Sequence, residues 1–155
     1  MKKKHIIILA AVLILLPVVL YAAIVVTNNC IAAQIEKVLK LSPLPPDTVL
    51  VDSISLAGKL TGNGNGMQYM GSILLMTDLQ EEELAEHYSR SFDYITVKKQ
   101  TSEAIDFIHP KKYSFEGFTE ESGRTYYSIT CWDSNRRDLF SDFVITLLDF
   151  DIRGY

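Results

Sequence analysis

The feature that most constrains this chain is an apolar run near its beginning. No charged residue occurs between Ile6 and Val26, a stretch of 21 residues. As an α-helix this stretch would be about 31 Å long, which matches the roughly 30 Å hydrocarbon core of a bilayer. We therefore predict a transmembrane helix over residues 6–26, with the lipid bilayer as its partner.

A cleavable secretory signal is the alternative interpretation of this run. Such signals have a shorter apolar core of about 7–15 residues, followed by a small-residue cleavage site. Tyr21-Ala22-Ala23 has that character, but Ile24-Val25-Val26 continues the apolar segment beyond it. The length of the run therefore favours an uncleaved anchor.

The flanking charges predict the orientation of the anchor. Residues 1–5 form a basic tail containing Lys2, Lys3 and Lys4, and residues 27–35 carry no charge. Because basic residues are retained on the cytoplasmic side, we expect a single-pass protein of the cell membrane with its N-terminus in the cytoplasm. The remainder of the chain is then expected outside.

Charge also restricts the partners of the outer part. Without the three lysines of the tail, 12 basic and 19 acidic residues remain, a net charge of −7. Such a surface gives no electrostatic help in binding nucleic acid or anionic lipid headgroups. We expect no nucleic-acid partner and regard another envelope protein as a candidate partner.

Residues 27–46 are predicted to be a juxtamembrane helix followed by a proline-rich spacer. The helical stripe comprises Ile31, Ile35, Val38, Leu39 and Leu41. Three prolines between Ser42 and Pro46 then end the helix and favour extended backbone. A folded domain is expected over residues 47–155.

The domain pattern predicts an α+β fold, with one main helix packed on a mostly antiparallel sheet. Two Asn-Gly pairs between residues 61 and 66 predict a hairpin. The helix is expected to be capped by Thr77 or Asp78 and to turn Leu84 and Tyr88 inward. Strands are predicted over 48–56, 67–76, 94–98, 113–118 and 124–132, and a strand is favoured over a helix for 139–150.

Candidate binding residues lie in the hairpin loop and on one strand. A glycine-rich loop binds phosphate when a helix follows it, whereas here a strand follows, so the hairpin interpretation prevails. The loop is nevertheless long enough to present Asn63, Asn65 and Gln68 to a ligand or partner. Tyr126 and Trp132 fit either the domain core or a recognition surface.

Catalytic and metal-binding signals are sparse. The three histidines are not spaced as zinc ligands, and we expect neither a metal nor another cofactor. Asp149 and Asp151 would lie about 6.6 Å apart on one face of a strand, a spacing open to acid–base chemistry. Whether Cys30 and Cys131 form a disulfide is left open by the sequence.

The stretch from Leu44 to Tyr88 resembles small membrane-anchored proteins of uncharacterised function from Gram-positive bacteria. The resemblance is carried by Leu44-Pro45-Pro46-Asp47-Thr48, by the string from Ala57 to Tyr69 and by the acidic helix start that follows Asp78. It implies a membrane location and no particular activity.

Two functions remain at this level. The anchor and the lack of a catalytic motif favour a membrane-tethered interaction or sensing module outside the cytoplasm. The alternative is an extracytoplasmic hydrolase or transferase that uses Asp149 and Asp151.

Overall fold

The fold is α+β, as the sequence pattern predicts. The structure, a computed structural model, describes residues 3–58, 60–61, 67–105, 108, 113–119 and 123–133. The elements in chain order are α1 (Lys3–Leu41), β1 (Val49–Gly58), β2 (Gln68–Thr77), α2 (Glu81–Ser89), β3 (Ile95–Gln100) and β4 (Thr125–Asp133).

Helix α1 is one continuous helix of 39 residues, about 58 Å long at the usual rise. Its most apolar stretch has no residue buried against the rest of the protein. Within the described residues, α1 is the one helix long and apolar enough to cross a membrane. Such a helix is compatible with a membrane anchor.

The four described strands form one sheet in the order β1-β2-β4-β3, and every neighbouring pair is antiparallel. The predicted hairpin is confirmed, because Gly58 at the end of β1 pairs with Gln68 at the start of β2. The segment 113–118 is not a strand, contrary to the prediction. It contributes a single bridge between Ser114 and Ala104, and Phe115 is buried against the sheet instead.

Each face of the sheet has its own core, as the two-residue period of strands requires. One core lies between the sheet and the two helices and comprises Leu39, Ile73, Leu75, Leu84, Tyr88, Val97, Tyr127 and Ile129. The other lies beneath the segment that follows β3 and comprises Leu60, Met70, Leu74, Ile105, Ile108, Phe115 and Tyr126.

The C-terminal part of α1 packs on the sheet in two places: Leu39 belongs to the first core, and Ala32 packs with Ala57, Met67 and Tyr69. Asn28, Ala32 and Leu39 are buried in its contact with the sheet. At the closest approach, a Cβ added to Gly71 would lie 2.7 Å from the Glu36 Cα and 2.8 Å from the Ile35 carbonyl carbon. Only glycine lets the helix backbone lie this close to β2.

The buried stripe of α1 differs from the predicted one. Leu39 is buried and Ile31 and Ile35 are half-buried, as expected, but Val38 is 58% exposed and Leu41 74% exposed. The reason is that close packing on the sheet selects small side chains such as Ala32, which a search for large apolar residues does not detect.

The proline-rich segment joins α1 to β1 and packs on the domain. Pro45 is buried, and the Pro43 carbonyl lies 2.9 Å from His87 Nε2 on α2. The chain therefore reverses direction after α1 ends at Leu41, and β1 belongs to the same sheet on which α1 packs.

Helix α2 starts later than predicted. Its N-cap is Gln80, whose backbone N–H donates to the Glu83 carboxylate at 2.8 Å. Thr77 instead accepts a hydrogen bond from the Leu79 backbone N–H at 3.3 Å. The predicted inward positions Leu84 and Tyr88 are confirmed, since both are buried.

Candidate functional site

Four strand termini meet at one end of the sheet, which we call the hairpin end. Gly58 and Gln68 pair there, Met70 pairs with Trp132, and Ile95 pairs with Cys131. The end of β1, the start of β2, the end of β4 and the start of β3 therefore lie side by side.

A cleft of about 380 Å³ opens at this end, and we call it the hairpin-end cleft. Its volume lies within the range of small-molecule sites. Its lining mixes aromatic, amide, hydroxyl and carboxylate groups, from Thr61, Gln68, Asp93, Tyr94, Ile95, Thr96, Trp132 and Asp133.

Gln68 organises one wall of the cleft. Its Oε1 accepts hydrogen bonds from the backbone N–H groups of Leu60 at 2.8 Å and Thr61 at 2.9 Å. Its Nε2 donates to the Thr61 hydroxyl at 2.7 Å. Three hydrogen bonds thus fix the chain that leaves β1, so Gln68 acts first as a structural residue of the cleft wall.

Two aromatic residues, Tyr94 and Trp132, also line the cleft, and we call them its aromatic wall. Tyr94 is 55% exposed, and Trp132 is half-buried against the core beneath it. The Trp132 backbone N–H donates to the Tyr94 carbonyl at 3.1 Å, which holds the two residues side by side where β3 pairs with β4. Both residues contribute to the lining of the cleft.

The cleft rim is acidic. Burial raises the pKa of the Cys131 thiol above its ordinary value of 9.0, and the carboxylates of Asp133 and Asp93 raise it further. Both carboxylates also line the hairpin-end cleft. The thiol stays protonated at neutral pH, which argues against a nucleophilic role for Cys131.

Cys131 lies on the other face of the sheet, in a second groove of about 310 Å³ between α1 and Phe92. Both cysteines are free thiols, and Cys30 is exposed.

The predicted binding residues are only partly brought together. Gln68 and Trp132 line the hairpin-end cleft, whereas Tyr126 is buried six residues before Trp132, about 20 Å along β4. The Tyr126 hydroxyl lies 3.1 Å from the Thr119 hydroxyl, and its ring packs on Phe118. Asn63 and Asn65 lie outside the described residues.

The residues proposed for acid–base chemistry, Asp149 and Asp151, also lie outside the described residues. Within the described part of the chain, no group of three or more His, Cys, Asp or Glu side chains could hold a metal ion.

Sequence reasoning missed Thr61, Asp93, Tyr94 and Asp133. One signal was available for Tyr94, which begins one predicted strand just as Trp132 ends another. If those strands were taken as antiparallel neighbours, the two aromatic residues would be expected side by side. The pairing of β3 with β4 was not evident from the sequence.

No protein-family model, curated protein or solved structure matches this chain significantly. No activity is therefore transferred to it from a relative.

Proposed function

We propose that this protein is a single-pass membrane protein that holds an interaction or sensing module against the outer surface of the cell membrane. In this proposal residues 6–26 cross the bilayer, and the three N-terminal lysines keep the preceding tail in the cytoplasm. The resemblance of residues 44–88 to small membrane-anchored proteins is consistent with this location.

The observation that carries the proposal is the continuity of α1. The helix continues beyond Val26, and its next part, from Asn28 to Leu39, packs in the core of the domain. The apolar stretch and the sheet are thus joined by helix rather than by a flexible linker. A domain attached in this way keeps a fixed height and orientation on the membrane, which suits a module that meets a partner at the surface.

The contacts along α1 support a rigid attachment. At the near end, the Tyr69 hydroxyl donates to the Asn28 Oδ1 at 3.0 Å in a buried position. Further along, the Ser53 hydroxyl donates to the Glu36 carboxylate at 2.6 Å. The backbone at Glu36 also lies directly on Gly71. These three contacts fix both the rotation and the position of the helix on the sheet.

Cys30 provides the test of orientation. It is exposed and lies four residues beyond the apolar stretch, so a membrane-impermeant maleimide added to intact cells should label it. The matched control is Cys30→Ser, which should lose the rapid labelling and keep only the slow reaction of the half-buried Cys131. Labelling that appears only after the cells are permeabilised would refute the outward orientation.

The test of the module itself is photo-crosslinking in intact cells. A photoreactive amino acid at Tyr94, in the hairpin-end cleft, should give discrete adducts, whereas one at Glu82 should not. Glu82 is an exposed control because it lies in the first turn of α2, which follows the opposite end of the sheet. Insertion of three glycines after Val26 should preserve anchoring and abolish the Tyr94 adducts. Equal adducts from both positions, or none from either, would refute the proposal.

A further inference from the structure

The direction of β2 along α1 decides which end of the domain is nearest the apolar stretch. The contacts of α1 follow β2 in order. From the N-terminal to the C-terminal side of α1, Asn28 contacts Tyr69, Glu36 lies on Gly71, and Leu39 packs in one core with Ile73 and Leu75. Helix and strand therefore run in the same direction. The start of β2, and with it the hairpin end, points back toward residues 6–26.

This geometry gives the cleft a height above the bilayer, if residues 6–26 span it as proposed. Glu36, and with it Gly71, stands about 15 Å beyond Val26 at the helical rise of 1.5 Å per residue. The strand rise then places Gln68 about 5 Å and Trp132, which pairs with Met70, about 12 Å beyond the hydrocarbon. Headgroups occupy roughly the first 5–8 Å, so the hairpin-end cleft opens from the headgroup layer outward.

The chemistry of the cleft selects among headgroups. Tyr94 and Trp132 present aromatic side chains, which attract organic cations through their π faces. Asp93 adds an exposed carboxylate at the same cleft. The outer part of the chain has a net charge of −7, which repels anionic groups. An ammonium group fits these features and a phosphate monoester does not.

We infer that the hairpin-end cleft binds the ammonium group of a zwitterionic lipid headgroup in the bilayer to which the protein is anchored. The inference rests on the proposed membrane anchoring and specifies the ligand class of the module. The phosphate and glycerol of the lipid lie at the height of Gln68. Its ammonium group lies further out, at Asp93 and the aromatic side chains of Tyr94 and Trp132. The lipid thereby reports the state of the membrane surface to the domain.

Trp132 is the single tryptophan of the chain, so its fluorescence reads out the cleft without labelling. The first measurement uses the full chain in phosphatidylcholine vesicles that contain lipids with a nitroxide either on the headgroup or at mid-depth of the acyl chain. We expect the headgroup nitroxide to quench Trp132 fluorescence at least about twofold more strongly than the acyl nitroxide does. Equal quenching by the two probes, or quenching by neither, would mean that the cleft does not lie at the headgroups and would overturn the inference.

The second measurement titrates short-chain lipids into the full chain in maltoside micelles. Phosphatidylethanolamine should change the Trp132 emission at lower concentration than phosphatidylglycerol. Asp93→Asn and Tyr94→Leu should each weaken the phosphatidylethanolamine response about three- to fivefold, whereas Glu82→Gln, which removes an equal charge far from the cleft, should not. Asp93 and Tyr94 are exposed, so these variants are expected to fold.

Three outcomes would overturn the inference: an equal response to phosphatidylglycerol, an unchanged response in Asp93→Asn, or an equal response to free ethanolamine, which would indicate a soluble amine ligand. The labelling of Cys30 does not involve the cleft, and the adducts at Tyr94 are scored only when they join another protein, so both are independent of these titrations. A failed lipid test with successful labelling and crosslinking therefore removes the lipid ligand and leaves the anchored module intact.

Discussion

The contact between α1 and Gly71 predicts a large loss of stability in Gly71→Ala. The new methyl group would lie 2.7–2.8 Å from backbone atoms of Ile35 and Glu36, and closer still to the Glu36 backbone nitrogen. Real carbon contacts begin near 3.5 Å, so the helix would have to move outward by several tenths of an ångström or more. Backbone atoms have no alternative rotamer that relieves the clash.

The magnitude follows from two opposing terms. Overpacking of a well-packed core costs about 1–3 kcal/mol, and a clash with helix backbone belongs at or above the upper end. Alanine recovers about 0.5–1 kcal/mol relative to glycine within a strand, because the unfolded chain is less free. We therefore expect a net loss of about 2–3 kcal/mol, or roughly 10 °C in Tm for a chain of this size.

The assay is thermal and urea unfolding of the full chain in detergent, monitored through the fluorescence of Trp132. The control is Gly123→Asn, because Gly123 has a φ of 62° and no atom within 4 Å of an added Cβ. Asparagine tolerates that conformation, so the control should lose less than about 1 kcal/mol. A loss below about 1 kcal/mol in Gly71→Ala would mean that α1 does not lie tightly on the sheet, and the rigid attachment behind the proposed function would fail with it.

Three further predictions concern buried polar groups and the thiols. Tyr88 is buried, its hydroxyl has no hydrogen-bond partner, and burial raises its pKa from 10.0 to about 12. The folded state keeps a proton that the unfolded chain loses above pH 10, so stability should fall by roughly 2 kcal/mol between pH 10 and 12. In Tyr88→Phe the free energy of unfolding should be about 1 kcal/mol higher at pH 7, and the part of the alkaline loss that comes from Tyr88 should disappear. Tyr69→Phe leaves the Asn28 amide with no partner, since its Nδ2 is already unpaired, and should cost about 1–3 kcal/mol. The double variant with Asn28→Leu should recover most of that loss, and no recovery would contradict the pairing. In maleimide kinetics, Cys131 should react more slowly than Cys30 and accelerate as the pH rises past 9, because its pKa is raised; equal rates would contradict the burial of Cys131.

The sequence alone determined the parts of this protein that depend on local pattern. The apolar run was sufficient for a helix long enough to cross a membrane, since length and the absence of charge are all that the hydrocarbon core requires. The strand-forming residues on either side of the Asn-Gly pairs were sufficient for the β1–β2 hairpin. The spacing of Leu84 and Tyr88 was sufficient for the inward face of α2.

The tertiary structure decided what lies beside what. The role of Gly71 was not evident in the sequence, because a glycine in a strand acquires meaning only when another backbone approaches it. The burial of Ala32 and Asn28 depends on the same approach. Phe115 was expected in a strand, but the open face of the sheet needed an apolar cover, and burial outweighed strand propensity there. The cleft likewise required the strand order β1-β2-β4-β3, which brings Tyr94 beside Trp132 through pairings between residues far apart in the chain. Local patterns specify elements because their causes are local, whereas the site arises from long-range pairing that no short stretch of sequence encodes.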